Sequence, residues 1–154
     1  MILSTADRRL LDALQVDATR SQVELAEIAG MSRTSCWRRI RDFEEAGLIE
    51  RQVAIIDPRQ AGLQIQVLLS VAMTEHTDEN RNDFENHVQS LPEVTECYSV
   101  SGERDHVLHI LVKDMDAYNH FLNSQILKHP TVRSASSTFV LRRVKYTTQM
   151  KLSQ

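Results

Sequence analysis

Lysine is absent from the first 112 residues of this 154-residue chain; all four lysines (Lys113, Lys128, Lys145, Lys151) fall in the last third. Arginine is therefore the only strong cation over most of the length, and its planar guanidinium suits two-point contact with guanine edges and phosphates. Cysteine is nearly absent too. Cys36 and Cys97 lie far apart with neither redox-motif nor zinc-ligand spacing, so reduced, partly buried thiols are expected. No apolar run approaches the roughly 18 residues of a membrane span, and the start, Met-Ile-Leu-Ser-Thr-Ala-Asp, lacks a signal-peptide pattern. A cytoplasmic protein with no membrane partner is the expectation. There is no Gly-rich phosphate loop, no nucleophile elbow and no Cys/His pair at useful spacing, so no enzyme is expected. His106 and His109 are three apart in a candidate strand and point to opposite faces, while His76, His87, His120 and His129 are scattered. Neither a metal nor a cofactor is expected. The net charge of −3 argues against indiscriminate coating of nucleic acid, but not against a local basic patch.

What is present organises around residues 21–49. Ser21 with Glu24 makes a capping-box start, Gly30 suits a helix end that needs positive φ, and Ser32 caps a second helix running to Gly47. Two short helices joined through a glycine form a helix-turn-helix pattern. Cys36, Ile40 and Phe43 fall at i, i+4 and i+7, which predicts one buried face. Arg33, Trp37 and Arg41 lie on another, with Arg38 beside them, and no acid occurs between Arg33 and Arg41. That face is open to a phosphate backbone. Trp37 has two readings, groove or core; the buried face already being filled tips the balance toward the groove. Upstream, Ser4 and Asp7 open a first helix with Ala6, Leu10, Leu11 and Leu14, ending near Asp17. Downstream, Leu48–Ile56 is rich in β-branched residues and is expected to form a wing strand ending at Asp57-Pro58, with a hinge at Gln60-Ala61-Gly62.

A different pattern begins at Ile65. Ile65, Val67, Leu69, Val71 and Met73 alternate as a half-buried strand. Asp78 opens a helix with Phe84, Val88 and Leu91 on one face; Val94–Ser101 and Val107–Val112 are strands joined by 102–105. Asp114 caps a helix with Met115, Tyr118, Phe121, Leu122 and Ile126 inward, and Val132–Tyr146 is a long fourth strand. The order is strand, helix, strand, strand, helix, strand: the ferredoxin-like βαββαβ arrangement. Val107–Val112 is apolar at nearly every position, so both its faces want cover. Two helices cover only one face of a four-stranded sheet, and a homodimer through the other face, by isologous packing, is expected.

The two halves together resemble the Lrp/AsnC (feast/famine) regulators. In the first half the likeness rests on Ala6–Leu14, Glu24-Leu-Ala26, Met31-Ser32, Arg39-Ile40 and Ala46–Ile49. In the second it rests on Val100–Asp105, Asp116–Phe121 and Val144–Thr148. Each motif is weak alone, but their order and spacing run through nearly the whole chain. The resemblance implies an α+β architecture: an N-terminal winged helix-turn-helix over residues 1–50, a wing strand and hinge over 51–63, and a ferredoxin-like ligand-sensing and oligomerisation domain over 64–154. It implies a free amino acid as effector, bound between dimers that assemble into octamers. Gly102 and Asp105 carry over as effector residues, with Tyr98 and Ser99 on the strand leading in. Ser136, Ser137 and Thr138 are candidate hydroxyls from a neighbouring dimer. Glu103 and Arg104 occupy the loop's variable positions. Where the family often has Pro-Gly-Val, this chain has Pro130-Thr131-Val132, so that turn is expected to differ.

The expectation is then a sequence-specific regulator of transcription on double-stranded DNA. Ser32, Arg33, Thr34, Ser35, Trp37 and Arg38 are placed nearest the bases, and Arg39, Arg41 and Arg51 on phosphates. The alternative is an architectural DNA-compacting protein whose C-terminal half only oligomerises.

Overall fold

In the computed structural model, which describes residues 2–152, three helices open the chain: α1 (Thr5–Val16), α2 (Gln22–Ala29) and α3 (Arg33–Glu45). Each begins on a serine. Ser4, Ser21 and Ser32 accept from the backbone N–H three residues on, and at the first two the Asp7 and Glu24 carboxylates accept the cap's own N–H. Two otherwise unmet donors are satisfied at each of these starts. Gly30 ends α2 at φ +69°, the left-handed turn that brings the chain into α3 within three residues. Leu10, Leu11, Ala13, Leu25, Ala26, Ala29, Cys36 and Phe43 form the core, with Ile40 packed half-buried against it.

The strand expected over Leu48–Ile56 is not formed. Strand pairing among the described residues is confined to one four-stranded sheet further along the chain. β-Branched composition favours a pleated, half-buried surface, but a ladder needs a neighbouring strand, and residues 50–56 have none and stay exposed. Arg51 therefore sits on an irregular, exposed segment.

The sheet belongs to a second unit made of β1 (Ile65–Met73), α4 (Asp78–Gln89), β2 (Val94–Ser99), β3 (His106–Val112), α5 (Met115–Phe121) and β4 (Val132–Phe139). Its strand order is β2-β3-β1-β4 with antiparallel neighbours throughout. One face of β1 and β3 (Val67, Leu69, Val71, Leu108, Ile110, Val112) packs with Phe84 and Val88 of α4, and with Tyr118, Phe121 and Ile126. α5 runs on through one π-helical turn, Leu122–Ile126, closed by Leu127 N–H to the Leu122 carbonyl at 2.9 Å. Met115, expected inward, is the first residue of α5 and stays exposed, because burial begins a turn later at Tyr118.

β4 is shorter than expected, ending at Phe139 rather than Tyr146. Its neighbour β1 begins at Ile65, and Val140 N–H makes the last bond, to the Gln66 carbonyl, so nothing remains to pair with. The tail from Val144 packs instead with the three helices. Thr148 Oγ1 donates to the Gln15 carbonyl and Met150 N–H to Gln15 Oε1, both at 2.7 Å, while Leu152 packs against the N-terminal core. The chain thus forms two compact units, one running to Ile55 and regaining the tail from Val144, the other Ile56–Arg143. The tail, assigned from sequence to the ferredoxin-like half, joins the first unit. Among the described residues no helix is long and apolar enough to cross a membrane.

Candidate DNA interface and effector loop

α3 sorts its side chains by face. Cys36 and Phe43 point into the core, while Arg33, Thr34, Trp37 and Arg38 are exposed and Ser35 is half-buried. Ser32 Oγ accepts the Ser35 N–H and donates to Ser35 Oγ at 2.9 Å, so these two hydroxyls also fix the start of the helix. Trp37, the one tryptophan, is 46% exposed, with the Arg41 guanidinium 5.1 Å from its ring centroid. Arg41 also meets Glu45 at 3.3 Å, but both side chains are more than half exposed. Such a pair is worth under about 1 kcal/mol and is easily exchanged for a phosphate.

Arg39 does not belong with them. Its Nε and Nη2 donate to the two carboxylate oxygens of Asp7 at 2.6 and 2.9 Å, and its guanidinium lies over the Phe43 ring. Asp7 is buried, and a buried carboxylate is costly unless a cation faces it. The Arg39 hydrogen bonds hold the Asp7 carboxyl far below its ordinary value, against the upward push of burial. The phosphate role expected for Arg39 gives way to a tie between α1 and α3. The acid-free stretch from Arg33 to Arg41 did not reveal this, because the acid that matters lies 32 residues upstream.

The loop between β2 and β3 holds the expected effector residues. Gly102 turns at φ +118° with open space around it, and Glu103 is exposed. Arg104 Nη1 donates to Ser134 Oγ on β4 at 3.2 Å. Asp105, expected to offer an anion to an incoming ammonium, already has partners: its carboxylate accepts the Met73 N–H at 2.7 Å and meets His76 Nδ1 at 2.8 Å. The pairing of β1 with β4 shifts register between Ala72 and Met73, and Asp105 satisfies the Met73 N–H at that break. Asp105→Ala is therefore expected to lower stability by about 1–2 kcal/mol with no ligand present, read as a drop in thermal midpoint. Asp105→Asn keeps an acceptor and should hold the midpoint near wild type, so it is the variant that isolates a role for the charge.

Tyr98 is exposed on β2, and its hydroxyl donates to Glu96 at 2.8 Å, which raises the Tyr98 pKa. Ser99 ends the same strand, exposed. The three hydroxyls of β4 do not act as one set. Ser136 and Thr138 stand opposite Ser70 and Leu68 of β1, on the face without helices, whereas Ser137 Oγ hydrogen-bonds the Tyr118 hydroxyl in the helix-covered layer. Ser137 is thereby removed from the effector candidates.

Sequence spacing missed a cluster in the second unit. His106 is 1% exposed, with Nε2 at 3.1 Å from Glu85 and its ring beside Phe84. His129 lies against the same Phe84 ring and against His87. Burial, then His87, push the His129 pKa below its ordinary value, with Asp83 opposing. The i, i+4 spacing of Asp83 and His87 was legible, but His106 and His129 arrive only through the fold. Among the described residues no group of three such side chains is placed to hold a metal ion.

Residues 66–150 match a family model described as the Lrp/AsnC ligand binding domain, and residues 3–50 match one described as a winged helix-turn-helix DNA-binding domain. The chain is 31% identical over 151 residues to the DNA-binding transcriptional activator DecR of Escherichia coli, covering 98% of this chain and 99% of that protein. It is 33% identical over 152 residues to the glutamate uptake regulatory protein of Zymomonas mobilis, covering 99% and 92%. A transcriptional regulator from Neisseria meningitidis, solved in complex with L-Met, superposes with a TM-score of 0.92 at 33% identity over 97% of both chains.

Proposed function

Because the chain belongs to the Lrp/AsnC family, we propose that it is a sequence-specific, DNA-binding transcriptional regulator whose DNA binding or assembly is modulated by an amino-acid effector. The observation that carries the reading is the division of labour on α3. Arg39 is spent on Asp7, while Arg33, Thr34, Trp37 and Arg38 project from a capped, well-anchored helix. In a major groove Arg33, Thr34, Ser35, Trp37 and Arg38 meet base edges, and Arg41 and Arg51 meet phosphates. The effector half of the reading draws on the ligand-binding family model over residues 66–150 and on the Neisseria relative solved with L-Met. Tyr98, Ser99 and the loop through Gly102, Glu103 and Arg104 remain its candidate ligand residues, with Ser136 and Thr138.

The same reading makes the protein a homodimer, assembling further to an octamer. Leu68, Tyr98, Val107, His109 and Leu111 lie on the sheet face that carries no helix, and a second copy covers it. The test has two arms on the full chain. A pool of random duplexes is selected for binding, and each of the twenty amino acids is screened by thermal shift and then for its effect on the selected duplex. A defined sequence should emerge, and one or a few amino acids should raise the midpoint and change DNA affinity. Equal affinity for all duplexes, with no amino acid acting, would overturn the reading in favour of DNA compaction.

A further inference from the structure

Charge is distributed very unevenly along the chain. No Asp or Glu follows Asp116, yet Lys128, Arg133, Arg142, Arg143, Lys145 and Lys151 all do, in a protein of net charge −3. The fold returns part of this acid-free stretch to the helix-turn-helix unit. Residues 1–55 carry nine Asp and Glu against eight Arg. One of those arginines, Arg39, is neutralised by Asp7. Taken without the tail, the unit that must approach a polyanion is itself slightly acidic. The tail adds Lys145 and Lys151 and no acid, which reverses the sign.

The tail is also held in place. Gln15 reads one of its residues at both ends, with Oε1 accepting from Met150 N–H at 2.7 Å and Nε2 donating to the Met150 carbonyl at 3.3 Å. Thr148 adds its bond to the Gln15 carbonyl, and Leu152 anchors in the core. These interactions use backbone, hydroxyl and apolar groups, and they leave both lysines exposed.

We propose that the C-terminal strap is a second phosphate-binding element, in which Lys145 and Lys151 grip the DNA backbone while α3 reads the bases. The proposal rests on the DNA-binding reading above. It gives the strap an electrostatic role that a merely structural tether would lack: phosphate neutralisation of this kind holds every duplex alike and contributes to affinity by releasing condensed counterions.

The test is the double variant Lys145→Ala, Lys151→Ala in the full chain, with duplex affinity measured across a salt series. The slope of log affinity against log salt should become shallower by about 0.9 for each phosphate no longer neutralised, so by up to about 1.8. Selected and random duplexes should weaken by the same factor. The charge-keeping variant Lys145→Arg, Lys151→Arg should restore the wild-type slope. An unchanged slope overturns the proposal. So does a shallower slope that follows a fall in thermal midpoint or oligomer mass and is not restored by the charge-keeping variant. Failure of the wild type to bind any duplex would sink the regulator reading itself; wild-type binding with an unaltered slope in the double variant sinks only the strap.

Discussion

Arg39→Ala is expected to destabilise the N-terminal unit by about 2–3 kcal/mol, while Arg38→Ala, one residue away, leaves stability near wild type and weakens DNA binding by about ten- to a hundredfold. Removing the Arg39 guanidinium leaves the buried Asp7 carboxylate without its cation, with the Ser4 N–H still donating to it, and removes the cation over Phe43. The loss includes the desolvation penalty of a buried carboxylate without a counter-charge as well as two hydrogen bonds. It stays below the full cost of breaking a buried pair because the Arg39 side chain is 27% exposed. Arg38 is exposed and makes no such tie, so its deletion costs the fold little and the complex one bidentate interaction.

Proton linkage gives an independent check. The Asp7 carboxyl has its native pKa lowered from 3.8, so its contribution is fully present above that value and is lost as pH falls below it through the native value. Wild type should lose stability across that acid range more steeply than a variant in which both Asp7 and Arg39 are replaced by apolar residues of similar size. Equal midpoints for Arg39→Ala and wild type at neutral pH would return Arg39 to the set of phosphate ligands.

The contrast between these neighbours shows where the sequence was legible. Serine caps, Gly30 and the i, i+4, i+7 spacing of Cys36, Ile40 and Phe43 are local signals, and the helices form where those signals place them. The alternation from Ile65 to Met73 and the order strand, helix, strand, strand, helix, strand are likewise what the second unit forms. What local signals could not carry was partnership across the chain. Arg39 looked available because Asp7 is distant in sequence, and Asp105 looked available because the break in β1–β4 register that claims it is a property of two paired strands. Residues 48–56 have the composition of a strand, but a strand is defined by a neighbour, and among the described residues none pairs with them. The tail was assigned by continuity with β4, whereas its docking is decided by Gln15.

The largest effect is expected at Leu68. It lies on β1, one of the two inner strands, and stands opposite His109 on β3 and Thr138 on β4, on the face that carries no helix. Leu68 is 41% exposed in the single chain, so Leu68→Glu should cost the isolated fold little. If that face packs against itself in a dimer, a two-fold arrangement buries the new carboxylate twice, on the face that carries Val107, His109 and Leu111. Each desolvated, unpaired charge costs several kcal/mol, so the dimer constant should weaken by at least about a thousandfold, roughly 4 kcal/mol. Sedimentation of the variant at micromolar concentration should give the monomer mass where wild type gives a multiple of it. The consequence for DNA follows from geometry: a dimer holds two half-sites a helical turn or a multiple apart, and the monomeric variant holds one. Its affinity for a single half-site should match wild type, while its advantage on a full site disappears. A variant that stays fully assembled would move the dimer interface off this face; one that dissociates yet retains full-site affinity would separate DNA reading from assembly altogether.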